Sequence, residues 1–477
     1  MQKTARIFLF VTGGLVSLIV LLALLAWAFV NSESFKSRIE DTVSRVLEME
    51  LKVEDQVRVL LFPAPGLRLG TFHIRSNEAE WINASGLDLE IRLLPFLRGQ
   101  VEIDSIGLLE PTLQIERDSE GAYNFVPAHR PDDRRERRPL EIRRFRARDA
   151  SLIFIDKLSG EEIQAQRCDW TASDFEWRPA GPNSSGLNLP DFQGHLSCRK
   201  IVYDVMEATE LEAEVSVQDQ QLKVDPVTAT LFDGRLKARL ESDFSRSSPD
   251  HFLESELAEF RIERFMETFQ QEHGAEGLLT FTTKLNFSGK TLSEMRASLD
   301  GRAELSGTEL LLYGLNLDEQ LKRYRSTQRF NLVDVAAFFV AGPAGVAITR
   351  GYGFASLFAD TDQQTPIREL VSKWDVENGI ARARDVALST AENRVALAGG
   401  LDFVNLQFED VRVAVIDAKG CAVVEQSIQG KFHDPEIEKP NFLVGLAGPL
   451  IDILERGVDL LKDTECEPFY TGQVAAP

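Results

Sequence analysis

LDLEIRLLPFLRGQVEIDSIGLLEPTLQIERDSEG, residues 87–121, decides the fold class. Leu87, Leu89, Ile91 and Leu93 alternate with Asp88, Glu90 and Arg92, and Leu113 and Ile115 alternate with Gln114 and Glu116 before a Ser119-Glu120-Gly121 turn. Successive side chains of a strand point to opposite faces, so a period of two predicts strands with one apolar and one polar side. The pattern returns at an offset of 39 residues. Ile103, Ile106, Pro111, Leu113, Ile115 and Gly121 correspond to Ile142, Phe145, Ala150, Leu152, Phe154 and Gly160, with Glu110 matching Asp149. One hairpin unit used twice is the expectation. Further on, Leu222 to Phe244 carries the turn Phe232-Asp233-Gly234, and Leu279, Phe281, Thr283, Leu285 and Phe287 alternate toward Ser288-Gly289. Short strands, polar turns and no regular βα alternation predict an extended, mostly antiparallel β structure.

Upstream of these strands, Ile7 to Val30 is an apolar run without a charge, preceded by Lys3 and Arg6 and long enough to cross a bilayer as one helix. A cleaved signal peptide is the competing reading, since Ala26-Trp27-Ala28 fits a small-x-small cleavage site, but the run exceeds the usual apolar core of such a peptide, about 7–15 residues. Both readings take the body out of the cytosol. Phe35, Ile39, Val43, Val46 and Leu47 then recur at helical spacing behind Ser34, a good N-cap. Helical spacing also marks Arg264 to Gln270, Leu315 to Val340 and Phe442 to Leu461. Val335 to Ile348 is too short and too broken by Pro343 and Gly345 for a second span, and reads as a buried helix and loop or as an element that dips into lipid or plugs an apolar groove.

Composition excludes some partners. Lys plus Arg is 53 against 75 for Asp plus Glu, a net charge of −22 that opposes nonspecific binding to nucleic acid and anionic bilayers. Within this acidic chain, Arg134, Arg135, Arg137, Arg138, Arg143, Arg144, Arg146 and Arg148 form a local basic run. It reads as a solvated loop with a charge-protected edge strand, or as a landing site for phosphate groups or an acidic partner. Phe at 30 residues outnumbers Tyr at 6 and Trp at 5, which suits an interior of apolar rings without polar tips. In an oxidising compartment four cysteines suggest disulfides, and sequence order favours Cys168 with Cys198 and Cys421 with Cys466 out of three connectivities. A metal set is the weaker alternative: His195 lies near Cys198, but no CxxC pair or second nearby His completes it. No GxSxG elbow, P-loop, HExxH, GxGxxG or EF-hand loop occurs, and the six histidines are scattered, so we expect neither catalytic residues nor a cofactor.

Several stretches resemble the AsmA family of bacterial envelope proteins. VRVLLFPAPGLRLGTFHI (57–74) and LDLEIRLLPFLRGQVEIDSIGLLEPTLQIERDSEGAYNF (87–125) look like the family's N-terminal signature. WDVENGIARARDVALSTAENRVALAGGLDF (374–403) resembles its C-terminal domain, and GCAVVEQSIQGKFHDPEIEKP (420–440) with CEPFYTGQVAAP (466–477) the tail of its longer members. The resemblance implies an inner-membrane anchor, a periplasmic body and a role in keeping the outer membrane supplied or assembled. It further implies a mainly β fold: an N-terminal transmembrane helix, then a long twisted, mostly antiparallel sheet curled into a groove for phospholipid acyl chains, with a few amphipathic helices. The expected division is an anchor over 1–32, a helix and β-repeat groove over 33–165, a central β region over 166–300 and an AsmA-like β domain with helices over 301–477. The Leu315 to Val340 segment would close one end of the groove.

Alternation nominates the groove lining: Leu87, Leu89, Ile91, Leu93, Ile103, Leu113, Ile115, Leu152, Phe154, Leu279, Phe281, Leu285 and Phe287. An ordinary packed core is the other reading of each. The expected partners are phospholipid, the inner membrane through the N-terminal helix, and an outer-membrane or periplasmic protein, with no nucleic acid. The rival function is a non-enzymatic envelope scaffold or regulator.

Overall fold

The computed structural model describes residues 36–37, 40–41, 44, 49–55, 57–60, 65–76, 79–92, 103–119, 124, 140–157, 160–177, 189–268, 274–313, 316–319, 364–438, 441–442 and 466–477. The apolar run Ile7–Val30, Leu93, Arg134 to Arg138, most of Leu315 to Val340, all of Val335 to Ile348 and nearly all of Phe442 to Leu461 lie outside them. Among the described residues no helix is long and apolar enough to cross a membrane. The chain falls into two compact units, 1–184 with 188–220, and 185–187 with 221–477. The expected boundaries at 165/166 and 300/301 fall inside continuous strands and do not separate these units.

The first unit holds β1 (Glu50–Val53), β2 (Arg58–Leu60), β3 (Gly66–Leu69), β4 (Phe72–Ser76), β5 (Ala79–Ala84), β6 (Gly86–Ile91), β7 (Ile103–Leu109), β8 (Thr112–Arg117), β9 (Leu140–Asp156), β10 (Glu161–Trp177), β11 (Asp191–Tyr203) and β12 (Met206–Gln218). Its first strands cover a cluster of Met49, Leu51, Val53, Val57, Leu69, Phe72, Ile74 and Ala84. The polar positions Lys36, Ser37, Glu40, Asp41 and Ser44 of the expected amphipathic helix are helical. Glu40 and Ser44 accept the Val53 and Leu51 backbone N–H groups at 2.8 and 2.9 Å, so the helix covers donors of β1 that would otherwise form an open edge.

The 39-residue repeat has a geometric meaning that differs from the expected pair of hairpins. β7 and β8 both lie parallel to the single long strand β9, in the registers Ile103↔Ile142, Ile106↔Phe145, Leu113↔Leu152 and Ile115↔Phe154. The two copies are therefore neighbours in the sheet, and each residue of the first copy sits beside its counterpart in the second. Glu110, where β7 ends, and Asp149, inside β9, both have positive φ, 48° and 52°. Arg167 in β10 and Glu210 in β12 continue the row at 51° and 53°, with register shifts across Ala165 to Cys168. A bulge bends a strand and steepens its twist, so the β9–β10 shifts crease the sheet beside Asp149 and Arg167. The remaining pairings in this unit are antiparallel, as expected.

The second unit is an antiparallel meander of β13 (Gln221–Leu231), β14 (Gly234–Asp243), β15 (Asp250–Arg261), β17 (Leu278–Ser288), β18 (Asp300–Tyr313), β19 (Gln364–Glu377), β20 (Ile380–Ser389), β21 (Arg394–Asp402), β22 (Gln407–Ile416) and β23 (Ala422–Lys431). The short β16 (Ala275–Glu276) pairs with β18, and β24 (Asp434–Ile437) and β25 (Asn441–Phe442) pair with β23. Phe442 is thus in a strand, where helical spacing had placed the start of a helix. The β13–β14 hairpin turns at Phe232 and Asp233, φ 51° and 60°, the two positive values that match a two-residue turn to the twist of its strands. Among the described residues α1 (Ile262–Thr268), near the expected Arg264 to Gln270, and α2 (Leu292–Ala297), which the strand-like alternation around it concealed, interrupt the meander.

Candidate functional site: an apolar groove

The groove lies in the second unit and is built by register. Leu236, Leu257, Phe281, Leu305 and Ser372 form one row across β14, β15, β17, β18 and β19. Ala238, Ser255, Thr283, Ala303 and Trp374 form the next, and Leu240, Leu253, Leu285, Gly301, Val376, Ala381 and Leu401 a third. All of these but Ala238, Leu240 and Gly301 line a groove of about 430 Å³, within the usual range of small-ligand sites, about 300–1,000 Å³. The intervening residues face outward and carry charge: Arg239, Glu254, Lys284, Arg302 and Asp375 form a row of their own, with Lys284–Glu254 at 3.8 Å and Arg302–Asp375 at 3.2 Å.

The few polar atoms on the groove floor are satisfied by each other. Ser255 Oγ and Thr283 Oγ1 are hydrogen-bonded at 2.9 Å, and Trp374 Nε1 donates to Ser372 Oγ at 2.8 Å. Hydroxyls paired in this way ask little of a ligand, and the surface presented is hydrocarbon. Arg296, Leu299 and Phe403 line one end. Toward the other end, past Leu231 and Leu257, the interior is filled: Phe260 and Leu279 are 0% and 1% exposed, and α1 buries Ile262, Phe265 and Met266. Phe232 and Phe265 meet there at a centroid distance of 5.3 Å. Within the described part of the Leu315 to Val340 segment, 316–319, Leu317 to Glu319 is helical, and Leu317 is fully buried with its N–H on Thr365 Oγ1 at 2.8 Å.

Of the β17 positions singled out by alternation, Phe281 and Leu285 line the groove. Leu279 is part of the packed interior, and Phe287 stacks on the His251 ring at 4.9 Å. Alternation did not reveal Trp374 or Val376, because Ser372 interrupts the apolar face of β19, nor Leu401 and Phe403, which lie at the end of β21 and just beyond it.

In the first unit the nominated residues share one side of the sheet. Leu89 pairs with Ile106, Leu87 with Leu108, Ile91 with Ile103, Leu113 with Leu152 and Ile115 with Phe154. All of these nominated positions are half-buried. The same side carries the Cys168–Cys198 disulfide, joining directly opposed residues of β10 and β11 with Cα atoms 4.0 Å apart, against Leu152, Leu196, Ile201 and Leu211. A depression of about 1300 Å³ in this unit takes in the polar row Arg68, Asp88, Arg146, His195 and Glu214, with Leu87 at its margin. Much of that charge is paired: Arg68 with Asp88, His195 with Glu214 at 3.0 Å, and Arg144 with Asp104 at 2.7 Å and Glu90 at 3.2 Å. The described part of the arginine run therefore lies on a polar face, away from the apolar side.

The second disulfide, Cys421–Cys466, ties residues 466–477 to the meander. Tyr470 and Val474 pack on Val371, Ala387, Ala396, Ala414 and Ile416, a patch whose alanines let the strap lie close. Val371 precedes the groove residue Ser372 in β19 and so points to the other face, and the strap covers the side opposite the groove. Arg394 holds it by donating to Val474 O at 2.9 Å and Asp417 O at 2.7 Å. Gly420 accepts from Phe469 N and Tyr470 N, and any Cβ there would stand 2.1 Å from Tyr470 O. Among the described residues no group of His, Cys, Asp and Glu is arranged to hold a metal ion.

No curated protein and no solved structure matches the chain. A model of the AsmA family matches residues 1–180 and 156–386, which takes in the first-unit sheet and most of the groove. Together with the strand order and the groove, that coverage makes this chain a member of the AsmA family.

Proposed function

We propose that the protein carries or shields phospholipid acyl chains at the bacterial cell envelope, in support of outer-membrane biogenesis and lipid homeostasis. The observation that carries this reading is the second-unit groove: a hydrocarbon floor whose hydroxyls and indole N–H, among the described residues, are bonded to one another. Each methylene removed from water gains about 0.8 kcal/mol, so an acyl chain that leaves a bilayer for water loses on the order of 10 kcal/mol. A groove of this kind removes most of that barrier without a chemical step, and the protein acts as a carrier, not an enzyme. In this reading Ile7–Val30 anchors the chain in the inner membrane and the body works in the periplasm, with an outer-membrane or periplasmic protein receiving or supplying lipid. The groove supplies no direction, so net flow follows a gradient or the partner.

A tail-labelled probe tests this. The full chain, in vesicles that contain a phosphatidylethanolamine with a diazirine near the end of one acyl chain, is irradiated and the cross-links are mapped. Labelling at Leu257, Phe281 and Leu305 is expected, with loss in Phe281→Glu with Leu285→Glu. A groove left unlabelled in the wild type would turn the reading to the envelope scaffold or regulator. That second reading draws on the strap, which leaves Ala387, Ala396 and Ala414 fully buried and the back of the meander as closed as an ordinary core.

A further inference from the structure

The groove has two unlike ends. At the deep end Phe260, Leu279 and α1 fill the interior. The other end meets a series of turns on one edge of the meander. Gly379 N donates to Leu299 O at 2.9 Å and Phe403 N to Gly379 O at 3.0 Å, which sets α2, the β19–β20 turn and the β21–β22 turn side by side. A Cβ on Gly379 would stand 2.2 Å from Arg296 O and 2.6 Å from Val404 Cγ2.

This edge is apolar where solvent would favour polar residues. Leu292, Val404 and Leu406 are 61%, 42% and 40% exposed. Arg296 follows Leu292 by one helical turn, its carbonyl and Val404 both flank Gly379, and its side chain lines the groove and has no ion pair among the described residues. The acids nearby are occupied by backbone donors. Glu294 accepts from Lys290 N at 2.7 Å, Asp300 from Asn378 N at 2.7 Å, and Asp402 from Val404 N and Asn405 N, each at 2.9 Å. Burial opposes ionisation of Asp402, but these donors prevail and hold its carboxyl below the ordinary value, so it remains an anion that shapes the turn. A guanidinium with no ion partner among the described residues, at one end of a hydrocarbon groove and on an edge that carries exposed aliphatic side chains, matches an amphiphile with an anionic head and apolar tails.

The geometry points to the edge formed by α2 and the Phe403–Leu406 turn as the loading mouth of the groove, where a glycerophospholipid enters tails first and leaves its phosphodiester on Arg296. This rests on the acyl-carrier reading and deepens it: it assigns an orientation, a head-group residue and a point of contact with the lipid surface. Leu292, Val404 and Leu406 would sit in the outer layer of the bilayer from which the lipid is drawn.

Two probes separate this inference from the reading beneath it. The full chain is reconstituted in vesicles of phosphatidylethanolamine and phosphatidylglycerol that contain phosphatidylethanolamine with a diazirine either in the head group or at the acyl end. The tail probe is expected at Leu257 and Phe281, and the head probe at residues 292–299 and 403–406. Arg296→Glu should lower head-probe capture at least fivefold while Arg296→Lys keeps it, and Leu292→Ser with Val404→Ser should slow groove labelling by the tail probe. Tail labelling in the groove with head labelling elsewhere, or unchanged capture in Arg296→Glu, would overturn the mouth and leave the carrier intact. Absence of label from the groove with both probes would overturn both.

Discussion

Tyr470 Oη donates to Asp385 Oδ1 at 2.6 Å across 85 residues of sequence, and accepts in turn from Val474 N at 3.0 Å. The phenol is the pin of the C-terminal strap. Burial, then the hydrogen bond to Asp385, raises its pKa above the ordinary value of 10. A pKa raised on folding contributes stability that is complete below the unfolded value and is lost as pH climbs through the folded one. The wild type should therefore lose stability above about pH 10, in a limb that Tyr470→Phe removes. At neutral pH Tyr470→Phe should cost about 1–3 kcal/mol, since it strands a buried carboxylate oxygen and a backbone N–H. Denaturant titrations at several pH values measure both.

The Cys421–Cys466 bridge closes a loop with a sequence separation of 45. In the chain-entropy account a loop of that length is worth at most about 4 kcal/mol, and typical bridges give about 2–4. Cys466→Ser should fall in that range and should expose residues 466–477 to protease before the rest of the body. Equal protease resistance with and without the bridge would mean that packing and Arg394 alone hold the strap.

Ser255 and Thr283 offer a cycle within the groove. Ser255→Ala leaves the Thr283 hydroxyl without its partner on an apolar floor, at a cost of about 1 kcal/mol. Ser255→Ala with Thr283→Val removes both hydroxyls together and should be close to neutral, with lipid capture equal to or above the wild type. A double variant that is as impaired as the sum of the single ones would show that the pair has another role.

At the crease of the first unit, Asp149 holds φ 52° and its N–H is bonded to Asp169 Oδ1 at 2.9 Å. Left-handed backbone costs an ordinary L-residue roughly 1–2 kcal/mol, and a β-branched one is the least tolerant. Asp149→Val should destabilise by about that amount, while Asp149→Gly, which accepts positive φ freely, should not. Calorimetry of the two variants checks the bend directly.

How much of this was legible in the sequence depended on whether a feature is local. The period of two at Leu87 to Ile91 and Leu279 to Phe287 marks strands because side-chain direction is set by the strand itself. The cysteine pairs could be read because each joins the nearest partner in sequence. The 39-residue repeat was visible, but an offset carries no strand direction, so its parallel register beside β9 was not. Neither was α2: six residues between two strands are too few to show a helical period. The strap escaped notice for a related reason, since Glu467 to Gln473 has no periodicity and is ordered by a disulfide, Arg394 and Gly420, all distant in sequence. Trp374 and Leu401 belong to the groove only because register places them in the rows of Thr283 and Leu285, and register is a property of the folded sheet.

The central claim is that the groove holds lipid, and native mass spectrometry of the full chain, stripped of loosely bound lipid by exhaustive detergent exchange, tests it most directly. The account predicts a stoichiometric phospholipid adduct on the wild type that disappears in Phe281→Glu with Leu285→Glu, while circular dichroism shows the variant still folded. A bare mass for the wild type, or an adduct unchanged in the folded variant, would contradict it.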